Sequence, residues 1–386
     1  MKIAIVCGHF IPAMGYVEVY FAKELARMGH EVKVFTSSVV PSYVKAVVKE
    51  SAEIGEEHVD GYQVLRLPHQ FSVGQMIKSK GLTKAVSQYS PSLIIVIGLG
   101  KLFPEPVFKL SKQIPIITLL GDNAESQESM NKKPVVDQIK QALKKRVYKK
   151  AVKSCKQLFS YTPESLEIVQ KIVGANLASL ALEKNHNISL GFDHRKFFYD
   201  AKERQDLRSQ LNILDSEMVM ITATRVIAQK RLESVIDEVD MLNKSGSNLK
   251  YILIGFLEDD YGSSLRKYIA AKEFRDQFIC LPFMDYGEVR AHYNAADFAH
   301  FPSAVISIFE AIGTGLPVIL PNHKNVSHII SDKNGQYFEK ELSEVLGSFY
   351  EKVSANRFPE REALVEFNKD QYSYNQLVKH VLSCVN

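Results

Sequence analysis

Residues 2–38, KIAIVCGHFIPAMGYVEVYFAKELARMGHEVKVFTSS, decide the fold of this protein. The apolar run KIAIVC is followed by VEVYFAKELARM, whose apolar residues recur at helical spacing up to Gly29, and then by the β-branched run EVKVFTSS. A strand, a helix and a strand in this order predict a crossover unit with two parallel strands. Because parallel sheets are covered by helices on both faces, this start predicts a doubly wound α/β domain.

Strand-like runs recur along the whole chain in two series. The first series continues with QVLRLP, SLIIVIG, IPIITLLG and QLFSYT, and the second consists of MVMITAT, LKYILIGF, QFICLPF, FAHFPS and LPVILP. A single hydrophobic core stops growing near roughly 250 to 300 residues. A chain of 386 residues is therefore expected to form two domains.

The turn-forming residues between the two series mark the domain boundary. We predict an N-terminal Rossmann-like domain at 1–185, an inter-domain linker at 186–200 and a C-terminal Rossmann-like domain at 201–365. A final helix is predicted at 366–386, where aromatic and apolar residues have helical spacing. The ligand is expected in a central cleft faced by the carboxyl ends of both sheets, because open α/β sheets bind ligands there.

The composition argues against several classes of protein. Hydrophobic residues make up 46% and charged residues 24%, which is typical of a globular protein. The longest apolar runs, such as LIIVIGL, are far shorter than the ~20 residues that span a bilayer. The start of the chain has no signal-peptide pattern, and the four cysteines have no metal-ligand spacing. A net charge of +4 is too small to indicate nucleic acid. We expect a cytoplasmic protein without structural zinc.

Two cations lie on the loop that follows the strand MVMITAT. Arg225 and Lys230 are five residues apart in TATRVIAQKR, directly after the carboxyl end of that strand. Two such cations can converge on a diphosphate and stabilise its growing negative charge as a bound group departs. The alternative interpretation is a pair of solvated surface charges.

Four segments in the same order resemble the signatures of a known family. They are FIPAMGYVEVYFAKELARMGHEV, ISLGFDHRKF, TATRVIAQKR and PSAVISIFEAIGTGLPVI, and they extend from residue 10 to about residue 320. The chain resembles the family-4 glycosyltransferases, which have the two-Rossmann GT-B fold. The resemblance implies a retaining, hexosyltransferase-type enzyme of bacterial glycan or glycolipid assembly, and a final helix that crosses back to the first domain.

The resemblance also implies the substrates and part of the mechanism. The donor would be a nucleotide-diphosphate sugar, UDP- or GDP-linked, and the acceptor would be a hydroxyl group of a glycan or of a lipid-linked acceptor. Arg225 and Lys230 would hold the donor phosphates and act in catalysis, with no metal ion and no cofactor. Arg231 stands where the family usually has glycine.

Glu310, in FPSAVISIFEA, has two interpretations. Ser307 and Glu310 form an S-x-x-E pattern that predicts a capping box, which would give Glu310 a structural role only. The resemblance instead assigns Glu310 to the hydroxyl groups of the nucleotide ribose, with Ser307 and the amide of Ile308 as phosphate contacts. The segment from Pro302 to Glu310 is about four residues shorter than in the family and lacks the family's first glutamate.

Further site residues are predicted by their position after strands. Gly255 would line the nucleotide cleft, and Phe283 and Met284 would flank the base. The acidic run 258–260 follows the same strand as Gly255. We interpret this run as a solvated loop and not as a metal site, because its carboxylates come from one local segment.

In the first domain, two strand ends carry candidates. The resemblance implies that Gly15 approaches the donor phosphate or the acceptor and that Tyr16 lies on the acceptor side. The alternative is a plain strand-to-helix turn. Asp122 is the candidate for contact with the sugar or the acceptor, and we include it among the catalytic residues. Gly121 and Asn123 would lie on the acceptor side, while a turn remains the alternative.

Residues 131–156 form a strongly basic segment. Ten lysines and arginines stand against the single acid Asp137, and a narrow apolar stripe is predicted to pack inward, comprising Val136, Ile139, Leu143, Val147 and Ala151. The broad basic face is either solvated or a peripheral contact with the inner face of the cell membrane, whose anionic surface attracts such a face.

Two other functions fit the same sequence. A sugar-nucleotide epimerase has the same architecture, and a non-catalytic nucleotide-sugar-binding paralogue or partner subunit would explain the lost first glutamate. Analysis of the product formed from a labelled donor separates transfer from epimerisation.

Overall fold

A computed structural model describes residues 1–13, 15–41, 53–73, 76–122 and 134–385. The chain divides into two compact units. The first unit comprises residues 1–190 and 377–386, and the second unit comprises residues 191–376. The division after residue 190 falls within 186–200, and the last ten residues return to the first unit.

The first unit is built on a mainly parallel sheet. Within the described residues its strands are β1 Lys2–Cys7, β2 Glu31–Ser37, β3 Gly55–Val59, β4 Tyr62–Leu67, β5 His69–Val73, β6 Met76–Ser79, β7 Leu93–Ile97, β8 Ile116–Leu120, β9 Gln157–Ser160 and β10 Asn185–Asn187. The order in the main sheet is β10-β9-β8-β7-β1-β2-β4-β3, and β5 and β6 form a separate hairpin. Among the described strands of the main sheet, only β3 and β4 pair in antiparallel fashion.

Burial explains which strands the sequence pattern predicts. Every residue of β7 and of β8 is buried, so these central strands read as continuous apolar runs. Four of the five residues of β3, with the sequence GEEHV, are exposed, and this edge strand has no apolar signal. The sequence pattern therefore missed the edge strand and the separate hairpin, which carry few buried residues.

Helices flank the sheet of the first unit. They are α1 Val17–Arg27, α2 Leu82–Tyr89, α3 Pro134–Ser154, α4 Pro163–Val173 and α5 Ala175–Glu183, with 3-10 turns at Leu99–Lys101 and Glu105–Leu110. The core contains buried residues from β1, β7 and α3, such as Val6, Val96 and Tyr148. None of the helices in the described part of the chain is long and apolar enough to cross a membrane.

The second unit is built on a fully parallel sheet. Its described strands are β11 Met218–Ala223, β12 Leu249–Phe256, β13 Phe278–Pro282, β14 Phe298–His300, β15 Val318–Pro321 and β16 Gly335–Phe338, in the order β13-β12-β11-β14-β15-β16. Its helices are α6 Ala201–Gln210, α7 Leu232–Lys244, α8 Asp260–Ala270, α9 Tyr286–Ala295, α10 Ser307–Gly313, α11 Leu346–Ser354 and α12 Arg361–Tyr372. The last helix, α13 Tyr374–Ser383, starts here and continues into the first unit.

Each sheet reverses its direction of winding at one point. In the first unit the chain passes from β1 to β2 on one side, while β7, β8 and β9 continue on the other side. In the second unit β11 leads to β12 and β13 on one side, while β14 and β15 lie on the other. Ligands of open α/β sheets bind outside the carboxyl ends of the strands at such switch points. The loops after β11 and β14 are therefore the first place to look for a site.

Candidate functional site

Two loops meet at the switch point of the second unit. The β11 loop is 224–231 and the β14 loop is 301–306. Pairing of Ile221 with Ala299 brings their strands side by side. Lys230 Nζ donates to Ser303 Oγ at 2.6 Å, and Thr222 Oγ1 donates to the carbonyl oxygen of His300 at 2.7 Å. These two bonds hold the loops next to each other.

The two predicted cations lie on the β11 loop in different surroundings. Lys230 closes a 3-10 turn, Ala228–Lys230, and only 8% of it is exposed, whereas Arg225 is exposed. Arg231 has a φ of +47°, in the left-handed region that glycine adopts without strain. The family that the sequence resembles usually has glycine here, and the left-handed backbone conformation of Arg231 is a physical reason for that glycine.

Gly255 supports the β11 loop from β12. Its φ is +116°, and a Cβ added to it would lie 1.9 Å from the carbonyl oxygen of Thr224. The amide of Val226 donates to the carbonyl oxygen of Gly255 at 3.0 Å. Gly255 therefore allows a close backbone contact that shapes the loop carrying Arg225, which is a structural role that the sequence did not predict.

Glu310 is a buried carboxylate on α10. Only 9% of the residue is exposed, and among the described residues its carboxylate has no hydrogen-bond or ion-pair partner. Burial raises the pKa of Glu310 to about 7, and the charge of Lys196 opposes that rise. A buried carboxylate without a protein partner is costly unless a ligand supplies donors.

The predicted capping box is wrong. Ile306 is the N-cap residue of α10, and its side chain makes no capping hydrogen bond. Ser307 is already the first helical residue, so its side chain is one position too late to act as the N-cap. The amide of Ile308, a predicted phosphate contact, donates to the carbonyl oxygen of Val305 at 3.3 Å. Of the two interpretations of Glu310, the structural one therefore loses its basis.

Lys196 and Tyr293 surround Glu310, and the sequence did not single them out. Lys196 Nζ lies 4.9 Å from the centre of the Tyr286 ring. The hydroxyl of Tyr293, on α9, donates to the carbonyl oxygen of Ser307 at 3.3 Å. Burial, and to a smaller extent the charge of the nearby Glu310, raise the pKa of Tyr293. Lys196 belongs to the segment ISLGFDHRKF, which the sequence analysis quoted. Nothing in that segment indicated that the charge of Lys196 acts on Glu310.

Helix α12 fixes the other end of α10. Arg361 Nε donates to the carbonyl oxygen of Thr314 at 2.8 Å and its Nη2 to that of Tyr293 at 2.6 Å. Asn368 Nδ2 donates to the carbonyl oxygen of Ile312 at 2.8 Å. These contacts join residues 47 to 68 positions apart in the sequence. No local sequence signal could have revealed them.

The remaining predictions for the second unit lie farther along the sheet. Phe283, of which 55% is exposed, and Met284 follow the edge strand β13, and β12 separates that strand from β11. In the acidic run 258–260, Asp259 Oδ1 accepts from the amide of Gly262 at 2.7 Å. Asp259 is thus the N-cap of α8, which gives this run a local structural role.

In the first unit, Asp122 has a structural environment. Its Oδ1 accepts from Lys144 Nζ at 3.1 Å and its Oδ2 from the Tyr148 hydroxyl at 2.6 Å. Its backbone oxygen accepts from Ser165 Oγ at 2.8 Å. The carboxylate therefore anchors α3, and the geometry does not favour the predicted catalytic role, which rested on position after a strand alone.

The other first-unit candidates give no sign of a ligand contact. Gly15 is buried, and the backbone oxygen of Tyr16 accepts from the amides of Val19 and Tyr20, as in a plain helix start. A Cβ on Gly121 would lie 3.2 Å from the ring of Tyr161. Asn123 lies outside the described residues. The acceptor-side role of these residues stays a prediction.

The basic segment is less solvated than its sequence suggests. Lys144 pairs with Asp122, and Arg146 and Lys150 both pair with Glu105. Of the predicted apolar stripe, Val147 and Ala151 are fully buried and Leu143 partly, while Ile139 is 57% exposed. The side chain of Val136 lies outside the described residues. The prediction of an inward-facing Ile139 is wrong, because α3 contacts the unit through its second half.

Known proteins match part of this chain. Residues 203–371 match the family described as Glycosyl transferases group 1. The alpha-monoglucosyldiacylglycerol synthase of Streptococcus pneumoniae is 27% identical over 135 residues, 33% of this chain and 30% of that protein. The amylovoran biosynthesis glycosyltransferase AmsK of Erwinia amylovora is 25% identical over 158 residues, 38% of this chain and 36% of that protein. The matches span about a third of the length of these relatives.

Solved structures match the whole chain. Anabaena HepE in complex with UDP has a TM-score of 0.70 at 17% identity, with 100% of both chains covered. Sucrose-phosphate synthase from Thermosynechococcus elongatus has a TM-score of 0.66 at 16% identity, covering 100% of this chain and 98% of that chain. The predicted fold class, two Rossmann-like α/β units as in GT-B proteins, is confirmed. The β11 loop and Glu310 both lie within residues 203–371, the part of the chain that matches the group 1 glycosyltransferase family.

Proposed function

We propose that this protein is a glycosyltransferase that moves a sugar from a nucleotide-diphosphate donor to a hydroxyl acceptor with retention. The observation that carries the proposal is the buried carboxylate of Glu310, which has no hydrogen-bond or ion-pair partner among the described residues. Glu310 lies on a switch-point helix within the residues that match the group 1 family. The HepE structures that resemble this chain hold UDP and UDP-glucose, which favours a UDP-linked donor.

Glu310 is proposed to accept hydrogen bonds from the two ribose hydroxyl groups. Those donors supply the solvation that burial removes from the carboxylate, so bound nucleotide lowers the raised pKa of Glu310 and favours its ionised form. The charge of Lys196 acts in the same direction. The ribose and Lys196 together make Glu310 a hydrogen-bond acceptor at neutral pH.

Lys230 and Arg225 are proposed to bind the diphosphate. Lys230 exchanges Ser303 for a phosphate oxygen, and the exposed Arg225 supplies a second cation from the same loop. As the bond between the anomeric carbon and the phosphate oxygen breaks, the negative charge on the departing diphosphate grows and both cations stabilise it. The acceptor oxygen bonds to the same face of the anomeric carbon, and its proton passes to the departing phosphate.

Nucleotide titration of the full chain tests the donor site. We expect one of UDP, GDP or ADP to bind, and Arg225→Ala and Lys230→Ala each to weaken that binding at least tenfold, because each removes a charged donor. Lys267→Ala, which removes an exposed lysine from α8, is the control and is expected to bind like the unchanged protein. Equal affinities in all four proteins would show that the β11 loop is not the phosphate site.

The same reaction mixture separates catalysis from mere binding. A transferase releases free nucleotide slowly from its donor even when only water is present as acceptor, whereas a binding subunit does not. An epimerase changes the donor sugar and leaves the nucleotide attached. Chromatography of a labelled donor after incubation distinguishes these three outcomes.

A further inference from the structure

Strands β11 and β14 separate at the switch point of the second unit before either strand ends. Their backbone pairing stops at Ile221 and Ala299. On its other side, β11 pairs with β12 two residues farther, up to Ala223 and Ile254. The carboxyl ends of β11 and β14 therefore diverge at the place where open α/β sheets bind their ligands.

A side-chain hydrogen bond connects the two strands beyond their last backbone pair. The amides of Ala299 and Phe301 both donate to carbonyl oxygens of the segment 317–319, on the β15 side. Because successive residues of a parallel strand bond to opposite neighbours, the carbonyl oxygen of His300 faces β11. Thr222 Oγ1 donates to that oxygen at 2.7 Å. Thr222 thus holds the end of β14 against β11 where the backbone pairing has stopped.

Tyr251, on β12, fixes the direction of this bond. Its hydroxyl donates to Thr222 Oγ1 at 2.9 Å, and its ring packs edge-on against Phe278 at a centroid distance of 6.2 Å. Tyr251 and Thr222 are both fully buried. Because Oγ1 accepts the proton of Tyr251, the proton of Thr222 is available for the carbonyl oxygen of His300. The two bonds therefore run in one direction across three neighbouring strands.

These two bonds lie at the base of both loops of the proposed donor site. The β11 loop begins two residues after Thr222, and the β14 loop begins directly after His300. Across the loops, Lys230 Nζ donates to Ser303 Oγ at 2.6 Å. Since the loop that carries Ser303 starts at the end of β14, a shift of that strand end moves Ser303 relative to Lys230.

Strand stability alone is the alternative role for the two hydroxyl groups. A buried hydroxyl group costs free energy unless it is hydrogen-bonded, and a valine would suit the buried position of Thr222 in the apolar strand MVMITA. Both hydroxyl groups are bonded, and their bonds lie at the strand ends that lead into the loops. Their placement therefore favours a role for the loops.

We propose that Thr222 and Tyr251 are positioning residues for nucleotide binding, which hold the β14 loop against the β11 loop before the donor arrives. This role rests on the proposed function and adds what preorganises its site. Neither residue touches the nucleotide, and both act through the spacing of the loops. The apparent affinity of a site falls with the fraction of molecules that hold the binding arrangement, so looser loops weaken binding.

Nucleotide titration of the full chain tests the role of Thr222, with UDP, GDP and ADP as probes. Thr222→Val removes the hydroxyl group and leaves a side chain of similar shape. We expect it to weaken the affinity for the nucleotide that binds about tenfold, which is the size of one hydrogen bond. Thr222→Ser keeps the hydroxyl group and should restore most of that affinity. Rescue by serine would not occur if only the apolar packing of this position mattered.

Tyr251→Phe tests the second bond. The variant keeps the ring against Phe278 and removes the donor to Thr222 Oγ1. We expect a smaller loss of nucleotide affinity than in Thr222→Val, because Thr222 can still donate to the carbonyl oxygen of His300.

Amide hydrogen exchange measures the loops in the absence of any ligand. In Thr222→Val the amides of 224–231 and 301–306 should exchange several-fold faster than in the unchanged protein, because the strand end below them opens more often. The amides of α8, which lie away from these loops, should keep their exchange rates.

Two variants with matched chemistry serve as controls. Thr118→Val removes the hydroxyl group of a fully buried strand threonine in the first unit, whose Oγ1 lies 3.0 Å from Cys155 Sγ. Tyr268→Phe removes a hydroxyl group of α8 that donates to the carboxylate of Asp237 at 2.8 Å. Both controls lose a hydrogen-bonded hydroxyl group, and both are expected to bind nucleotide like the unchanged protein.

Each outcome decides the question. If Thr222→Val binds nucleotide as tightly as Thr118→Val does, if Thr222→Ser does not restore the affinity, or if the loop amides keep their exchange rates, the inference is overturned and the proposed function stands. If Thr222→Val does not fold, Tyr251→Phe compared with Tyr268→Phe decides in the same way. If none of the three nucleotides binds the unchanged protein, the proposed function fails, and this inference fails with it.

Discussion

Glu310 matters most at the scale of single residues, because its burial has a measurable consequence for stability. In the folded protein its pKa is about 7, whereas the ordinary value is 4.5. Between these two pH values the unfolded chain is ionised while the folded protein still holds the proton. Stability without nucleotide therefore falls as pH rises from 4.5 to 7, and the loss is complete above 7.

Glu310→Gln is expected to remove this pH dependence. Near pH 4 the variant and the unchanged protein should melt at similar temperatures. At pH 8 the variant should be more stable by on the order of 3 kcal/mol, since each pKa unit is worth about 1.4 kcal/mol. Calorimetry across pH 4 to 8 measures the difference. Glu258→Gln, which changes an exposed carboxylate, should melt like the unchanged protein, and a constant offset for Glu310→Gln at every pH would contradict the assignment.

Gly255 gives a second prediction at the residue scale. Gly255→Ala should destabilise the second unit by about 3 kcal/mol or more, because it adds a positive-φ side chain and a collision with the backbone of Thr224. Gly246→Ala is a matched control with a φ of +97° and no atom within 4 Å of the added Cβ. It should cost only the strain, about 1 kcal/mol. Urea unfolding compares the two, and equal effects would show that the close contact is relaxed.

At the scale of elements, helix α3 divides its charges between two roles. Lys144, Arg146 and Lys150 pair with acids of the first unit, whereas Lys145, Lys149 and Lys153 follow one another at four-residue spacing on another stripe. The exposed Ile139 lies near the start of the same helix. This second stripe is the part of the basic segment that remains for a membrane contact.

The membrane contact is testable with vesicles that contain anionic lipid. Each cation near such a surface contributes about 1 kcal/mol, so changing Lys145, Lys149 and Lys153 to Gln should weaken binding roughly 100-fold at low salt. A control with the same loss of charge changes Lys84, Lys109 and Lys112, which lie on other elements. Co-sedimentation measures both proteins. Equal binding by the two triple variants would favour the solvated interpretation.

Elements also explain why one prediction failed and another gained support. The S-x-x-E pattern is a valid local signal, yet the helix begins at Ser307 because the preceding turn makes Ile306 its N-cap. Asp122 follows a strand as expected, but α3 supplies Lys144 and Tyr148 as partners from more than 20 positions away. Arg225 and Lys230 were predicted to lie on a loop because a strand precedes them in the sequence. In the structure both residues lie on the loop that follows β11 at the switch point.

At the scale of the whole molecule, two switch points repeat the same topology in two units. The one in the second unit gathers Lys230, Ser303 and the helix of Glu310, and it lies within the residues that match the group 1 glycosyltransferase family. The one in the first unit gathers His9, Glu18 and Lys101. Both groups of polar side chains lie outside the carboxyl ends of parallel strands, where open α/β sheets bind their ligands.

The sequence by itself determined the two series of parallel strands, the loop cations and the resemblance to glycosyltransferases, because buried strands and motif loops have local signatures. Only the tertiary structure decided which polar groups lack a partner. Within the described residues, the carboxylate of Glu310 and the Nε2 atom of His9 have no hydrogen-bond partner, whereas the carboxylate of Asp122 accepts from Lys144, which is 22 positions away in the sequence. Hydrogen-bond satisfaction depends on such long-range neighbours, and no local pattern encodes them.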